Sequence, residues 1–100
     1  MTPPYAIEIV NYRLVESADP DRSLDINRVV GAEFTSAQHG FLRREIGRSD
    51  DGTWLIAVYW KTSVHARASI GNIDKIPPSV RSYMAEIVRA TLTRSIFEVV

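Results

Sequence analysis

The chain has 100 residues, 12 Lys and Arg against 12 Asp and Glu, a formal net charge of zero, and 45% apolar residues. Such a composition belongs to one ordinary folded domain spanning residues 1–100 and excludes disordered, collagen-like and low-complexity chains. The absence of cysteine excludes disulfides, thiolate nucleophiles, iron–sulfur clusters and cysteine zinc sites.

The arginines are interleaved with carboxylates, so there is no basic excess for phosphate and nucleic acid is not an expected partner. The longest unbroken apolar run, Trp54 to Trp60, is too short to span a bilayer. The start Met1-Thr2-Pro3-Pro4 has no basic region leading into an apolar one, so we expect a cytoplasmic protein with no membrane contact.

Residues 5 to 14, Tyr-Ala-Ile-Glu-Ile-Val-Asn-Tyr-Arg-Leu, are rich in β-branched and aromatic types and predict a first strand. Asp19-Pro20 opens a helix, with Asp19 as N-cap and Pro20 pre-set for the first turn. Ile26, Val29, Val30, Phe34 and Ala37 form one apolar stripe, and Gly40 suits a left-handed stop, so the helix is expected over about residues 20 to 38. Phe41 to Arg48 and Thr53 to Lys61 flank Ser49-Asp50-Asp51-Gly52 and predict a hairpin. Thr62-Ser63 can cap a short helix over Val64 to Ile70 that stops near Gly71-Asn72. After Pro77-Pro78, the spacing of Val80, Tyr83, Met84, Ile87 and Val88 predicts a helix over about residues 78 to 90, and Leu92 to Val100 closes the chain as a strand.

That order, βαββαβ, specifies an α+β ferredoxin-like plait: a four-stranded antiparallel sheet with two helices on one face. On the third strand Trp54, Ile56, Val58 and Trp60 point one way while Leu55, Ala57 and Tyr59 point the other, so both faces are apolar. Helices cover only one. We expect the tryptophan face to be the bare one, closed by a second subunit into a dimeric α+β barrel.

The order of elements, His-Gly-Phe at residues 39 to 41, and Val-Tyr-Trp-Lys-Thr at residues 58 to 62 leading into a helix resemble the dimeric α+β barrel superfamily, in particular its antibiotic biosynthesis monooxygenase-like domains. The likeness covers nearly the whole chain, through short motifs. It implies a homodimer with a small-molecule cavity between sheet and helices, and no cofactor where the member is a quinol or polyketide oxygenase. It also implies a hydrogen-bonding role for Asn11, the strand-one asparagine of the haem-degrading relatives; an alternative alignment places Tyr12 there. Their helix Trp and helix His have no counterpart. Nine residues after Trp60, where many quinol-type members carry a histidine, this chain has Ser69, and His65 comes four residues early.

Among the residues themselves, Glu33 falls within the apolar stripe of the first helix. Buried alone it would hold its proton to a raised pKa and act as a general acid or base; at the rim, or paired with Arg13, Arg43 or Arg44, it would be structural. His65, in the first turn of its helix, is either a neutral proton acceptor or a solvent-facing residue. His39 caps the end of the first helix. Phe41, Arg43 and Glu45 are expected on the face of Trp54, Ile56, Val58 and Trp60. There Trp60 stacks on a planar ligand and Arg43 holds an anionic group, or Arg43 pairs with Glu45 across an interface, the reading preferred for Trp54. Tyr12 and Tyr83 are expected in the core or cavity wall. Two histidines 26 positions apart offer no metal-site spacing, so no metal is expected.

Two functions compete on this reading. One is a cofactor-independent monooxygenase acting on a small aromatic or polyketide-like molecule, with Asn11 binding its oxygen, Glu33 or His65 moving a proton, and Trp60 and Tyr83 shaping the pocket. The other is a non-catalytic dimeric module that binds a small ligand or has a structural role. A cavity of roughly 300 Å³ or more containing an unpaired Glu33 favours the first.

Overall fold

The structure, a computed structural model, describes residues 1–69 and 77–100. Its elements are β1 (Tyr5–Arg13), α1 (Pro20–Glu33), β2 (Phe41–Arg48), β3 (Thr53–Trp60), α2 (Ser63–Ala68), α3 (Pro78–Ala85) and β4 (Thr93–Val99). The four strands form one antiparallel sheet in the order β2-β3-β1-β4, the predicted plait. Among the described residues no helix is long and apolar enough to cross a membrane.

Local chemistry sets most of the boundaries. The Asp19 carboxylate accepts from the Asp21 backbone N–H at 3.0 Å and starts α1, with Pro20 in its first turn. The α-helical turns end at Glu33, earlier than expected, and the chain tightens through a 3₁₀ turn at Thr35–Ala37. Gly40, at φ +81°, turns the chain into β2 rather than capping α1 directly. The Thr62 hydroxyl accepts from the His65 N–H at 3.2 Å and caps α2; the expected stop of that helix near Gly71-Asn72 lies outside the described residues. The last helix ends at Ala85, because Ile87 leaves it to bridge Leu14 and Val88 donates its N–H to the Arg13 carbonyl at 2.9 Å.

The sheet faces are reversed from expectation. Trp54, Ile56, Val58 and Trp60 lie on the helix side, 1–4% exposed, packed with Tyr12, Ala66, Tyr83, Met84 and Ile87. Trp54 stacks on Tyr12 with centroids 6.2 Å apart, and so belongs to the core rather than to an interface. The outer face carries Ile7, Ile9, Leu55, Ala57, Tyr59 and Phe97, with Phe97 58% and Leu55 37% exposed. The two indoles go to the thick helix side, where the helices supply matching volume.

The hairpin turn explains the parity error on β2. Ser49 donates its N–H to the Thr53 carbonyl at 2.9 Å, closing a three-residue loop in which Gly52 takes φ +87°. An odd-length loop sets Arg48 opposite Trp54, Ile46 opposite Ile56 and Arg44 opposite Val58. Arg43 and Glu45 therefore stand on the outer face beside Tyr59 and Ala57, where they pair with each other at 3.3 Å. A β-bulge between Phe41 and Arg43 shifts the register back, so Phe41 alone of the expected trio faces Trp60, edge-on at 6.1 Å.

Candidate functional site

Between the inner sheet face and α1 and α3 lies a cavity of about 330 Å³, at the small end of the range for ligand sites. Val10, Ile56, Val58 and Trp60 form its floor; Val30 of α1, Phe34 just after that helix, and Val80, Tyr83 and Met84 of α3 form its roof. Three charged side chains interrupt this apolar lining: Glu8 on β1, Arg44 on β2 and Arg94 on β4.

Glu8 occupies an inward position on β1 between Ala6 and Val10, and is 7% exposed. Its two oxygens have separate partners: the Trp60 indole N–H donates to Oε1 at 3.1 Å, and the Arg94 guanidinium Nε–H donates to Oε2. Arg94 also donates to the Ala66 carbonyl at 2.9 Å, tying β4 to α2. This arrangement satisfies the buried carboxylate, the indole and the end of a short helix together.

Arg44 reaches from β2 to α1, where it donates through Nη1 to the Asn27 carbonyl at 3.0 Å and through Nη2 to the Asn27 side-chain oxygen. Asn27 is 1% exposed, and its amide N–H donates to the Tyr12 hydroxyl at 2.8 Å. Burial pushes the Tyr12 phenol far up from its usual range, and the neighbouring Tyr83 raises it further. Burial raises Tyr83 as well, so both remain neutral phenols at physiological pH. Burial also lowers Arg44, though a guanidinium keeps its charge near neutrality.

Of the expected site residues, the structure brings Trp60 and Tyr83 to the cavity and leaves the others away from its wall. Tyr12 lies beneath the wall, in the core. Asn11 points to the outer face, because its position on β1 has the parity of Ile9, and it donates to the Trp54 carbonyl at 3.4 Å. Glu33 is exposed, since α1 is rotated so that Ser23 and Asn27 are buried together with Val30 of the apolar stripe; it accepts from the Ser79 hydroxyl at 3.3 Å. Val29 of that stripe is itself 41% exposed. His65 packs against Gly40 and His39, its Nδ1 2.8 Å from the Thr62 hydroxyl. The Arg43 side chain lies on the outer face of the sheet, away from the cavity. Among the described residues, no three His, Asp or Glu side chains gather at metal-binding distance.

The residues that sequence reasoning missed are Glu8, Asn27, Arg44 and Arg94. Glu8 leaves a visible signal, a lone carboxylate inside the inward set Ala6, Val10 and Tyr12. Arg44 leaves none, because its face depends on the length of the hairpin loop.

No protein-family model matches the chain, and no curated protein sequence does. Solved structures do. The chain is similar to SnoaB, a cofactor-independent oxygenase from Streptomyces nogalater, with 16% identity and a TM-score of 0.74 over 98% of this chain and 95% of that one. It is similar to a putative antibiotic biosynthesis monooxygenase from Chloroflexus aurantiacus, with 18% identity and a TM-score of 0.63 over 96% and 93%. A dimeric ferredoxin-like protein from an uncultured marine organism matches at 10% identity and a TM-score of 0.69 over 98% and 90%. In fold, the chain is thus a ferredoxin-like α+β domain of the kind found in the antibiotic biosynthesis monooxygenase structures.

Proposed function

We propose that this protein binds a small, planar, electron-rich molecule of the aromatic polyketide kind in the sheet–helix cavity and oxygenates it without a cofactor. The observation that carries the reading is the cavity itself: about 330 Å³ of mostly apolar space, floored by Trp60 and roofed by Phe34 and Tyr83, with a carboxylate at its edge. The resemblance to cofactor-independent oxygenases supplies the reaction type. A methylene between two rings gives up a proton, its carbanion passes electrons to O₂, and the CH₂ becomes C=O with one oxygen atom retained and the other released as water. Trp60 and Tyr83 would hold the ring plane, and Glu8, the carboxylate lining the cavity among the described residues, would take the proton.

The protein would act in the cytoplasm as a homodimer, its outer sheet face covered by that of a second copy. Ile7, Ile9, Leu55, Tyr59 and Phe97 support this, as does the dimeric ferredoxin-like neighbour. Sedimentation at micromolar concentration checks the assembly, and a stable monomer would contradict it.

One observation favours a second reading, a binding module without catalysis: both Glu8 oxygens are already engaged, by Trp60 and Arg94. Oxygen consumption with a panel of anthrones and hydroquinones, beside calorimetric binding of the same compounds, separates the two. Catalysis predicts uptake that falls about a hundredfold in Glu8→Gln. Binding without uptake selects the module, and no binding at all removes both readings.

A further inference from the structure

Of the charged groups on the cavity, Glu8 and Arg94 neutralise each other, whereas Arg44 is met by neutral acceptors only. Among the described residues, no carboxylate lies within ion-pair distance of its guanidinium, which leaves the lining with one net positive charge. A half-buried cation among apolar walls without an ion-pair partner is costly; Glu8 favours its charge only from beyond ion-pair distance, and Asn27 accepts two of its hydrogen bonds. The fold nevertheless builds a place for it. Gly31, one turn beyond Asn27 on α1, leaves the guanidinium room against the helix; a Cβ there would meet Nη1 at 3.0 Å and Cδ at 3.3 Å. Asn27 and Gly31 thus fix the Arg44 fork on one side, and the remaining donors of a group with five N–H bonds are left for a ligand.

Resting on the reading that this cavity holds a small planar molecule, we propose that its ligand is a monoanion, a planar ring system whose oxyanion docks on Arg44. A carboxylate and the enolate of a hydroxyquinone present the same oxyanion chemistry.

Calorimetric titration of the full chain with matched pairs tests this: 2-naphthoate against 2-naphthamide, and 2-hydroxy-1,4-naphthoquinone against its methyl ether. Each anion is expected to bind about ten- to a hundredfold more tightly than its neutral partner. Arg44→Met should erase that gap while leaving the neutral partner's affinity within a fewfold, and Arg44→Lys should keep part of it. Gly31→Ala, which crowds the guanidinium without altering charge, should weaken the anions more than the neutral compounds and serves if Arg44→Met fails to fold. Equal binding of anion and neutral partner by the unsubstituted protein would overturn the proposal and leave the cavity reading standing. A gap that survives Arg44→Met would overturn the assignment to Arg44. Failure of all four compounds to bind would remove the proposal together with the cavity reading. If only one anion shows the gap, the oxyanion class is settled in its favour.

Discussion

Removing Arg94 should destabilise the fold more than removing the charge of Glu8. The two form an ion pair at the cavity edge, with 28% of the Arg94 side chain exposed and 9% of the Glu8 side chain. Arg94→Met leaves a buried carboxylate with Trp60 Nε1 as its remaining partner. Breaking a buried pair in that way costs about 3–5 kcal/mol, and the partial exposure of Arg94 brings the figure to about 2–3 kcal/mol. Loss of its bond to the Ala66 carbonyl adds about 1 kcal/mol. Glu8→Gln keeps an acceptor for the indole and leaves a cation that can turn toward water, so it should cost only about 1–2 kcal/mol. Replacing both, Glu8→Leu with Arg94→Met, leaves no stranded charge and should lie closer to the parent than Arg94→Met does. Urea unfolding followed by tryptophan fluorescence at one protein concentration measures all three. The reasoning is refuted if Glu8→Gln costs as much as Arg94→Met, or if the double variant is no more stable than Arg94→Met alone.

Gly40→Ala should cost at least about 2 kcal/mol, because its backbone sits at φ +81° and the new Cβ would lie 2.3 Å from Cγ of His65; thermal unfolding of this variant beside Gly47→Ala, whose Cβ meets Leu55 at an ordinary 3.7 Å, reads the difference. Burial raises the Tyr12 phenol above its ordinary value, so its contribution is complete below the pKa of the unfolded chain, near 10, and is lost as pH climbs beyond it. Tyr12→Phe should therefore flatten the alkaline decline in stability measured by urea midpoints between pH 8 and about 11. Hydrogen bonds from Ser49 and Thr53 hold the Asp51 carboxyl down at about 2, below its unfolded value. That contribution is present above the unfolded pKa and fades as pH falls toward 2, so amide protection in the 49–53 loop, taken relative to the intrinsic exchange rate at each pH, should fall on acidification in the parent and lose this pH dependence in Asp51→Asn.

The order of elements was legible because it is written in local chemistry. Asp19-Pro20 starts a helix by capping, Asp51-Gly52 turns a hairpin, and Thr62 caps α2 wherever the rest of the chain goes. Which face each strand turns inward was not legible, because alternation groups residues into two sets without saying which set meets the helices. With Trp54 and Trp60 in one set and Leu55 and Tyr59 in the other, both qualify as core by hydrophobicity, and volume decides. The placement of the candidate site residues was not legible for a related reason. A three-residue loop in place of a two- or four-residue one turns Arg44 inward and Arg43 outward, and a rotation of α1 turns Asn27 inward and Glu33 outward.

That rotation is tied to the polar groups. Centring the stripe of Ile26, Val29 and Val30 would give α1 a wholly apolar contact with the sheet, yet the helix buries Ser23 and Asn27 beside Val30, at 4%, 1% and 4% exposure. Each has a partner that explains it: the Ser23 hydroxyl donates to Glu86 beyond α3, and Asn27 joins Tyr12 to Arg44. Residues that break a local apolar pattern are tolerated where the surroundings satisfy their polar groups. In this fold they converge, since Glu8 and Arg44 open onto the cavity and Asn27 holds Arg44 there. Glu8 thus breaks the apolar pattern of β1 by placing a charge on the cavity, and Asn27 breaks that of α1 by holding the charge that Arg44 brings from β2.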